Sequence, residues 1–84
     1  MNINIKDILE LSDGNEYGVV SKTSYQDKTY YYLVDVVNVE NLKFCVEDSN
    51  ELIEIENKRL IQILLPLFTN EIKEDLISTL AKIE

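Results

Sequence analysis

The chain of 84 residues contains no histidine, one cysteine and two glycines. The lack of histidine excludes histidine-dependent catalytic triads and histidine-rich zinc sites, and it removes the usual acid–base group for neutral pH. The glycines, Gly14 and Gly18, match neither the dinucleotide-binding nor the phosphate-loop spacing. We therefore predict a protein that is not an enzyme and that needs no cofactor.

The single cysteine, Cys45, cannot form a disulfide within the chain, which fits a reducing cytoplasm. Its neighbours Phe44 and Val46 are apolar and Glu47 is acidic, whereas a nucleophilic thiolate needs a positive neighbour to lower its pKa. We predict a structural role for Cys45, either on the second face of a sheet or at the surface. Residues 1–7 contain no apolar segment, so we expect no signal peptide and a cytoplasmic protein.

Acidic residues outnumber basic ones by sixteen to eight, which gives a net charge of −8. This charge repels nucleic-acid phosphates and membrane surfaces, and it attracts a basic partner. Direct binding to DNA or RNA normally requires a basic stripe, and the sequence has none. The hydrophobic fraction of 45% is typical of a globular protein, so we expect one folded domain over residues 1–84. The excess of isoleucine, asparagine and lysine over arginine is typical of an AT-rich bacterial or phage genome.

Alternating apolar residues and short turns predict an antiparallel meander of four or five strands between about residues 8 and 56. Turn residues stand at 12–15, 26–28, 38–41 and 48–50, where Gly, Asn and Asp tolerate positive φ. The two short acidic turns, 13–16 and 48–51, lack the ligand spacing of a calcium loop, so no metal site is expected. Residues 29–37 favour a strand, and apolar side chains would lie on both of its faces, which is typical of a central strand.

In the last third of the chain, the apolar residues recur with the spacing of an α-helix. Asn57 is suited to cap a helix over about 58–65, and Pro66 is expected to end or kink it. Thr69 or Asn70 can cap a second helix over about 71–83. The fold prediction is therefore α+β: the meander followed by two C-terminal helices. The residues predicted to be buried are Leu33, Phe44, Val46, Ile53, Ile55, Leu64, Phe68, Leu76 and Leu80.

An acidic run without a basic member is the first candidate site. Its members, the candidate partner-binding residues, are Glu47, Asp48, Glu51, Glu54 and Glu56. One interpretation is a charged strand edge that blocks edge-to-edge aggregation. The other is a docking patch for a basic partner, which could imitate a phosphate backbone.

A second candidate is the apolar segment 60–68, in which Gln62 is the only polar residue. It can be buried between the sheet and the last helix, or it can serve self-association into a homodimer through Leu60, Ile63 and Leu67. Tyr30 and Tyr32 could form a base-stacking platform, but the negative charge favours core packing instead.

The order of segments 8–11, 13–17, 28–35, 51–56 and 64–68 resembles a family of short acidic bacterial proteins of unknown function. The sequences of that family have, in this order, a strand with an Asp-Gly turn, a tyrosine- and valine-rich strand, an acidic strand and a helix with a leucine–phenylalanine cluster. The resemblance implies a sheet with a helix, and it carries no activity, cofactor or catalytic residue.

Two functions follow as expectations. The first is a small acidic intracellular protein-interaction module, non-enzymatic, with a basic protein partner and without direct contact to nucleic acid or membrane. The alternative is an acidic inhibitor of the phage or mobile-element type, which mimics DNA and blocks a nucleic-acid-binding protein. Mimicry requires carboxylates in a continuous band, whereas a general interaction module can carry its acidic residues evenly over the surface.

Overall fold

The computed structural model describes the backbone of residues 2–83 and the side chains of residues 2–73. This part of the chain forms five strands and one helix. The strands are β1 (Ile8–Glu10), β2 (Glu16–Tyr25), β3 (Lys28–Asp35), β4 (Leu42–Asp48) and β5 (Glu51–Glu54), and the helix is α1 (Lys58–Ile83).

The strands form one antiparallel sheet in the order of the chain, from β1 to β5. The β2–β3 and β4–β5 hairpins each have a two-residue loop, and both loop residues have positive φ: Gln26 and Asp27 in one, Ser49 and Asn50 in the other. This is the geometry of a type I′ turn, whose twist matches that of the strands it joins. The predicted α+β class and antiparallel meander are confirmed.

The β1–β2 connection uses a longer turn that depends on Gly14. The Gly14 N–H donates to the carbonyl of Leu11 at 3.0 Å, and the Leu11 N–H donates to the carbonyl of Asn15 at 3.0 Å. Gly14 has φ +84°, and an added Cβ would meet nothing within 4 Å. The backbone conformation, and not lack of space, therefore explains the glycine.

A bulge at Val20 lets β2 serve both faces of the sheet. The register pairs Val19 with Leu33 and then Ser21 with Tyr32, so Val20 has no partner in β3. The extra residue reverses the alternation of side chains. Tyr17 and Val19 consequently lie on one face, while Ser21, Thr23 and Tyr25 lie on the other.

Two apolar clusters lie on the opposite faces. The inner cluster comprises Ile3, Tyr17, Val19, Tyr31, Leu33 and Cys45, with Leu9, Leu11 and Leu52 packed beside it. Because Leu9 comes from β1 and Leu52 from β5, the sheet curls around this inner face. The helix cluster joins Tyr30 to Leu64 and Phe68 of α1, on what we call the helix face. The expectation that a central strand is apolar on both faces is confirmed.

The prediction of two C-terminal helices is wrong, because α1 continues through Pro66. Proline inside a helix costs about 3 kcal/mol, since it removes one hydrogen bond and its ring crowds the preceding turn. Pro66 is exposed, so water can reach the carbonyl that loses its partner. The flanking Leu64 and Phe68 are 0% and 1% exposed, and burial of two such side chains contributes about 3–6 kcal/mol. Thr69 and Asn70 thus lie inside the helix.

The N-terminal cap of α1 is confirmed. The Asn57 side-chain oxygen accepts hydrogen bonds from the N–H groups of Arg59 at 3.0 Å and Leu60 at 3.2 Å. These bonds satisfy main-chain donors that have no partner inside the helix.

The predicted core is confirmed in its centre and wrong at its edge. Leu33, Leu64 and Phe68 are buried, and Phe44, Val46 and Ile55 are half-buried. Ile53 is 43% exposed, because β5 is an edge strand and α1 packs mainly over β2. The side chains of the two remaining predicted core residues, Leu76 and Leu80, lie outside the described residues.

We expect Pro66→Ala to stabilise the protein. Alanine restores the hydrogen bond to the carbonyl of Gln62 and removes the ring, so the free energy of unfolding should rise by about 1–3 kcal/mol. Chemical denaturation followed by circular dichroism measures this change. The matched control is Asn70→Ala, also exposed in α1, which should gain about 0.5 kcal/mol. A loss of stability in Pro66→Ala would show that a kink at this residue is needed to seat Leu64 and Phe68.

Candidate functional site

The acidic run does not form one continuous surface. Asp48, Glu51 and Glu56 are exposed, whereas Glu47 is half-buried on the inner face, with one carboxylate oxygen enclosed and without a hydrogen-bond partner among the described residues. Asp48 lies opposite Glu51 in the hairpin, and Glu47 lies opposite Leu52. Since neighbouring residues of a strand point to opposite faces, the run is divided between the two sides of the sheet.

One member of the run, Glu54, is held by a basic residue of the adjacent strand. Lys43 Nζ lies 2.8 Å from Glu54 Oε1 and 3.7 Å from Asp13 Oδ2. The hydrogen bond from Lys43 to Glu54 raises the pKa of the Lys43 ammonium, and the charge of Glu54 acts in the same direction. Lys43 therefore reduces the negative charge at this end of the sheet and ties β4 to β5 and to the β1–β2 turn.

A polar cluster at the same end joins two loops. The Tyr17 hydroxyl donates to Asp13 Oδ2 at 2.6 Å, and Asn41 Nδ2 donates to the Tyr17 hydroxyl at 3.0 Å and to Asp35 Oδ2 at 3.3 Å. The bond from Tyr17, helped by a main-chain N–H at Asn15, lowers the pKa of Asp13. Burial, followed by the hydrogen bond to Asp13, raises the pKa of Tyr17. The groups satisfy one another, which is the arrangement of a structural network.

Asp35 organises the β3–β4 loop. Its Oδ1 accepts hydrogen bonds from the N–H groups of Val37 at 2.8 Å and Asn38 at 3.1 Å. These two bonds are the main causes that lower the pKa of Asp35, although the residue is almost fully buried. Asp35 holds a loop whose Val37 side chain is 91% exposed.

Cys45 lies on the second face of the sheet, which was one of the two predicted positions. It is 2% exposed and packs in the inner cluster. Burial raises the pKa of its thiol to about 11, with a further contribution from the charge of Glu54. A thiol in this state is a poor nucleophile at neutral pH.

The aromatic and self-association candidates lie largely under the helix. Tyr30 is buried, and Tyr32 contacts the ring of Phe68 with centroids 5.9 Å apart, so these tyrosines are not an open stacking platform. Leu60 and Leu67 pack against the helix cluster, and Ile63 is the exposed member of the proposed self-association set.

Part of the helix face is left uncovered, which sequence reasoning missed. The register aligns Ile8, Gly18, Val34 and Leu42 across four strands, and we call this set the apolar row. Its ends are exposed, Ile8 at 60% and Leu42 at 43%. The signal in the sequence was weak, because the row appears only once the strand register is known.

Carboxylates lie beside the apolar row, toward one end of the sheet. Glu10 and Glu16 are register partners next to Ile8 and Gly18, and on the same face. Glu40 is exposed in the loop that precedes Leu42. Like charges opposite each other on one face destabilise a sheet, so the Glu10–Glu16 pair is unfavourable in the isolated protein.

A cleft separates the two edges of the sheet. Its volume is about 650 Å³, and it is lined by Ile8–Glu10 of β1, by Asn50, Glu51 and Leu52 at the start of β5, and by Ile3. Three consecutive residues line it on each side, whereas the residues of one face would be every second one. The cleft therefore runs along the strand edges.

Among residues 2–73, no group of three potential ligands is placed to hold a metal ion. In the described part of the chain, no helix is long and apolar enough to cross a membrane. Comparison of the chain with protein-family models, with curated proteins and with solved structures finds no match. The resemblance to short acidic bacterial proteins stays a prediction.

We expect Cys45 to react slowly with alkylating reagents in the folded protein. At pH 8 its reaction with iodoacetamide should be at least about 100-fold slower than in the urea-unfolded chain, because the thiol must first be exposed by opening of the fold. Since Cys45 is the single thiol, mass spectrometry gives both rates directly. Equal rates in the two states would contradict burial.

The raised pKa of Cys45 also predicts lower stability in alkali. The ordinary value of 9.0 applies to the unfolded chain and about 11 to the folded one, so the contribution is complete below pH 9 and is lost as the pH rises towards 11.

We expect Asp35→Asn to weaken the dependence of stability on acid. The folded pKa of Asp35 lies below its ordinary value of 3.8, so its contribution is present above pH 3.8 and is lost as the pH falls through the folded value. Denaturation between pH 6 and 2 should show a smaller loss in the variant than in the wild type. Glu40→Gln, an exposed residue of the same loop, is the control and should follow the wild type.

Proposed function

We propose that the protein is a small, non-catalytic interaction module that binds a basic protein partner. The observation that carries this proposal is the apolar row, with exposed Ile8 and Leu42 and with Glu10 and Glu16 beside it. Glu40 is exposed two residues before Leu42. An exposed apolar surface next to charged groups is typical of a protein-binding surface. The polar groups at the same end of the sheet, on its inner face, form hydrogen bonds with one another. This supports a structural role for them and not a catalytic one.

The electrostatics support a basic partner. The net charge of −8 attracts positive surfaces over distance, and a basic group placed at the Glu10–Glu16 pair would relieve its repulsion. The loss of this repulsion lowers the free energy of the complex and not that of the free protein, so it favours binding.

The alternative is the acidic inhibitor that mimics DNA. Its support is the net charge together with Asp48, Glu51 and Glu56, which are exposed near one hairpin. Against it, Lys43 holds Glu54, and Glu47 is turned to the inner face. Exposed carboxylates are also spread over the turns and the helix, at Asp27, Glu40 and Glu71. This distribution favours the interaction module.

A capture experiment with matched variants tests the proposal. Val36 is 45% exposed and lies beside Gly18, so it extends the apolar row. The immobilised wild type, incubated with lysate of its source cells, should retain a basic protein at low salt. Val36→Ser/Leu42→Ser should retain at least about fivefold less of it, because the apolar surface is lost. Ile63→Ser, which changes an exposed residue of α1, is the control and should retain as much as the wild type. Equal retention by the wild type and both variants would contradict a role for the apolar row.

Competition distinguishes the two functions. A short DNA duplex should release the partner of a DNA mimic at concentrations at which polyaspartate of equal charge does not. If the two polyanions release the partner equally, the interaction is general charge attraction, and the module is favoured.

A further inference from the structure

The unpaired main-chain groups of β1 point into the cleft between the sheet edges. The Val19 N–H donates to the carbonyl of Asp7 at 2.9 Å, and the Leu11 N–H donates to the carbonyl of Asn15 at 3.0 Å. In an antiparallel pair, the residues that bond to the neighbouring strand alternate with residues that face away from it. Leu9 therefore bonds to β2, and the N–H and C=O groups of Ile8 and Glu10 face the free edge.

The same reasoning applies to β5. The Ile55 N–H donates to the carbonyl of Phe44 at 2.7 Å, which continues the β4–β5 ladder beyond Glu54. Ile53 and Glu51 then bond to β4, and the N–H and C=O groups of Leu52 and Glu54 face the free edge. Among the described residues neither edge pairs with a further strand.

The directions of the strands allow one segment to serve both edges. Each strand is antiparallel to the next, so β1 and β5 run in the same direction. A strand between them can be antiparallel to both and continues the pattern of the sheet. The four residues of β5 span about 13 Å, which accommodates a segment of similar length.

The side chains along the cleft alternate in chemistry. Leu9 and Leu52 pack with the inner cluster, whereas Glu10 and Glu51, one position along, point to the opposite face. None of the residues that line the cleft in the described part of the chain is basic. An inserted strand would thus meet apolar groups on one side and carboxylates on the other.

We propose that the cleft binds an extended segment of a partner protein in which apolar and basic residues alternate. The segment adds to β1 and β5 as a sixth strand, with its apolar side chains on Leu9 and Leu52 and its basic side chains near Glu10 and Glu51. This is recognition by strand addition, in which main-chain bonds give affinity and alternate side chains give specificity. The proposal rests on the proposed function and names its mode of recognition.

A synthetic peptide provides the test. The probe is a fluorescein-labelled peptide of alternating lysine and valine, about six residues long, and anisotropy measures its binding. The first control probe is N-methylated at alternate amides, and the second has the same composition in two blocks. Both keep the charge, so strand addition predicts at least about tenfold weaker binding for each, whereas equal binding of the three peptides would overturn the proposal.

Variants of the protein separate the main-chain contribution from the charge. Glu10→Gln/Glu51→Gln should weaken binding of the alternating peptide about tenfold. Asp27→Asn/Glu71→Gln makes the same change of net charge outside the cleft and the apolar row, and it should leave binding unchanged. Glu10→Pro removes a donor that faces the free edge without breaking the β1–β2 ladder, so it should weaken binding further than Glu10→Gln does. Equal effects of the two substitutions at Glu10 would contradict strand addition.

A structural readout identifies the edges. In the free protein, the amides of Ile8, Glu10 and Leu52 should exchange rapidly with solvent, and the peptide should protect them. The amides of Leu9 and Ile53 already bond within the sheet and serve as the internal control. Protection elsewhere, without change at the three edge amides, would overturn the proposal.

Two further outcomes are distinguishable. If the protein alone forms a dimer that Glu10→Pro dissociates in sedimentation, the occupant of the cleft is a second copy and the proposal is wrong. If the alternating peptide does not bind but the lysate partner is still retained through the apolar row, strand addition fails while the proposed function stands. If neither binds, both fail.

Discussion

The sheet has to be covered on both faces because β3 carries large side chains on each side. Tyr31 and Leu33 belong to the inner cluster, and Tyr30 belongs to the helix cluster. The described part of the chain has one helix for this purpose, and the helix covers one face. The inner face is covered by the curl of the sheet itself, with Ile3, Leu9 and Leu52 drawn over it from the N-terminal segment and the two edges. The bulge at Val20 serves this arrangement, since it lets β2 supply both clusters.

The same constraint explains where the exposed apolar groups lie. Ser21 donates a hydrogen bond to the carbonyl of Phe68 at 3.1 Å, which fixes α1 over the second half of β2. The first half of the helix face, with Ile8, Gly18 and Leu42, is left without cover. The curl leaves the edges apart, so a cleft separates β1 from β5 and is not closed by main-chain bonds in the described residues. The apolar row and the cleft therefore have a common origin: α1 covers only part of the helix face, and the curl of the sheet covers the inner face without joining β1 to β5.

Local features of the chain were predictable from sequence, and those that depend on tertiary contacts were not. The turns at Gly14, at Asp27 and at Asn50 were correctly placed, because residues that tolerate positive φ act locally. The cap at Asn57 was predicted for the same reason. Pro66 was expected to end or kink the helix, since the effect of a proline on a helix is local. The burial of Leu64 and Phe68 that outweighs this effect depends on the sheet.

The candidate site follows the same division. The acidic run was visible in the sequence, but its separation into Glu47 on the inner face, Glu54 beside Lys43 and three exposed carboxylates required the strand register. The apolar row could not be predicted, since its residues are brought together by pairing across four strands. The edge cleft depends on the curl of the sheet, which no local pattern in β1 or β5 encodes.

The helix follows all five strands in the sequence, and this order has a consequence for synthesis on the ribosome. The meander is built from neighbouring hairpins with short loops, so it can form as soon as β5 has emerged. Leu64 and Phe68 are translated later, and until then the aromatic side chains of Tyr30, Tyr32 and Phe44 are exposed to solvent. During synthesis, the nascent protein therefore exposes the aromatic surface that α1 covers in the folded protein.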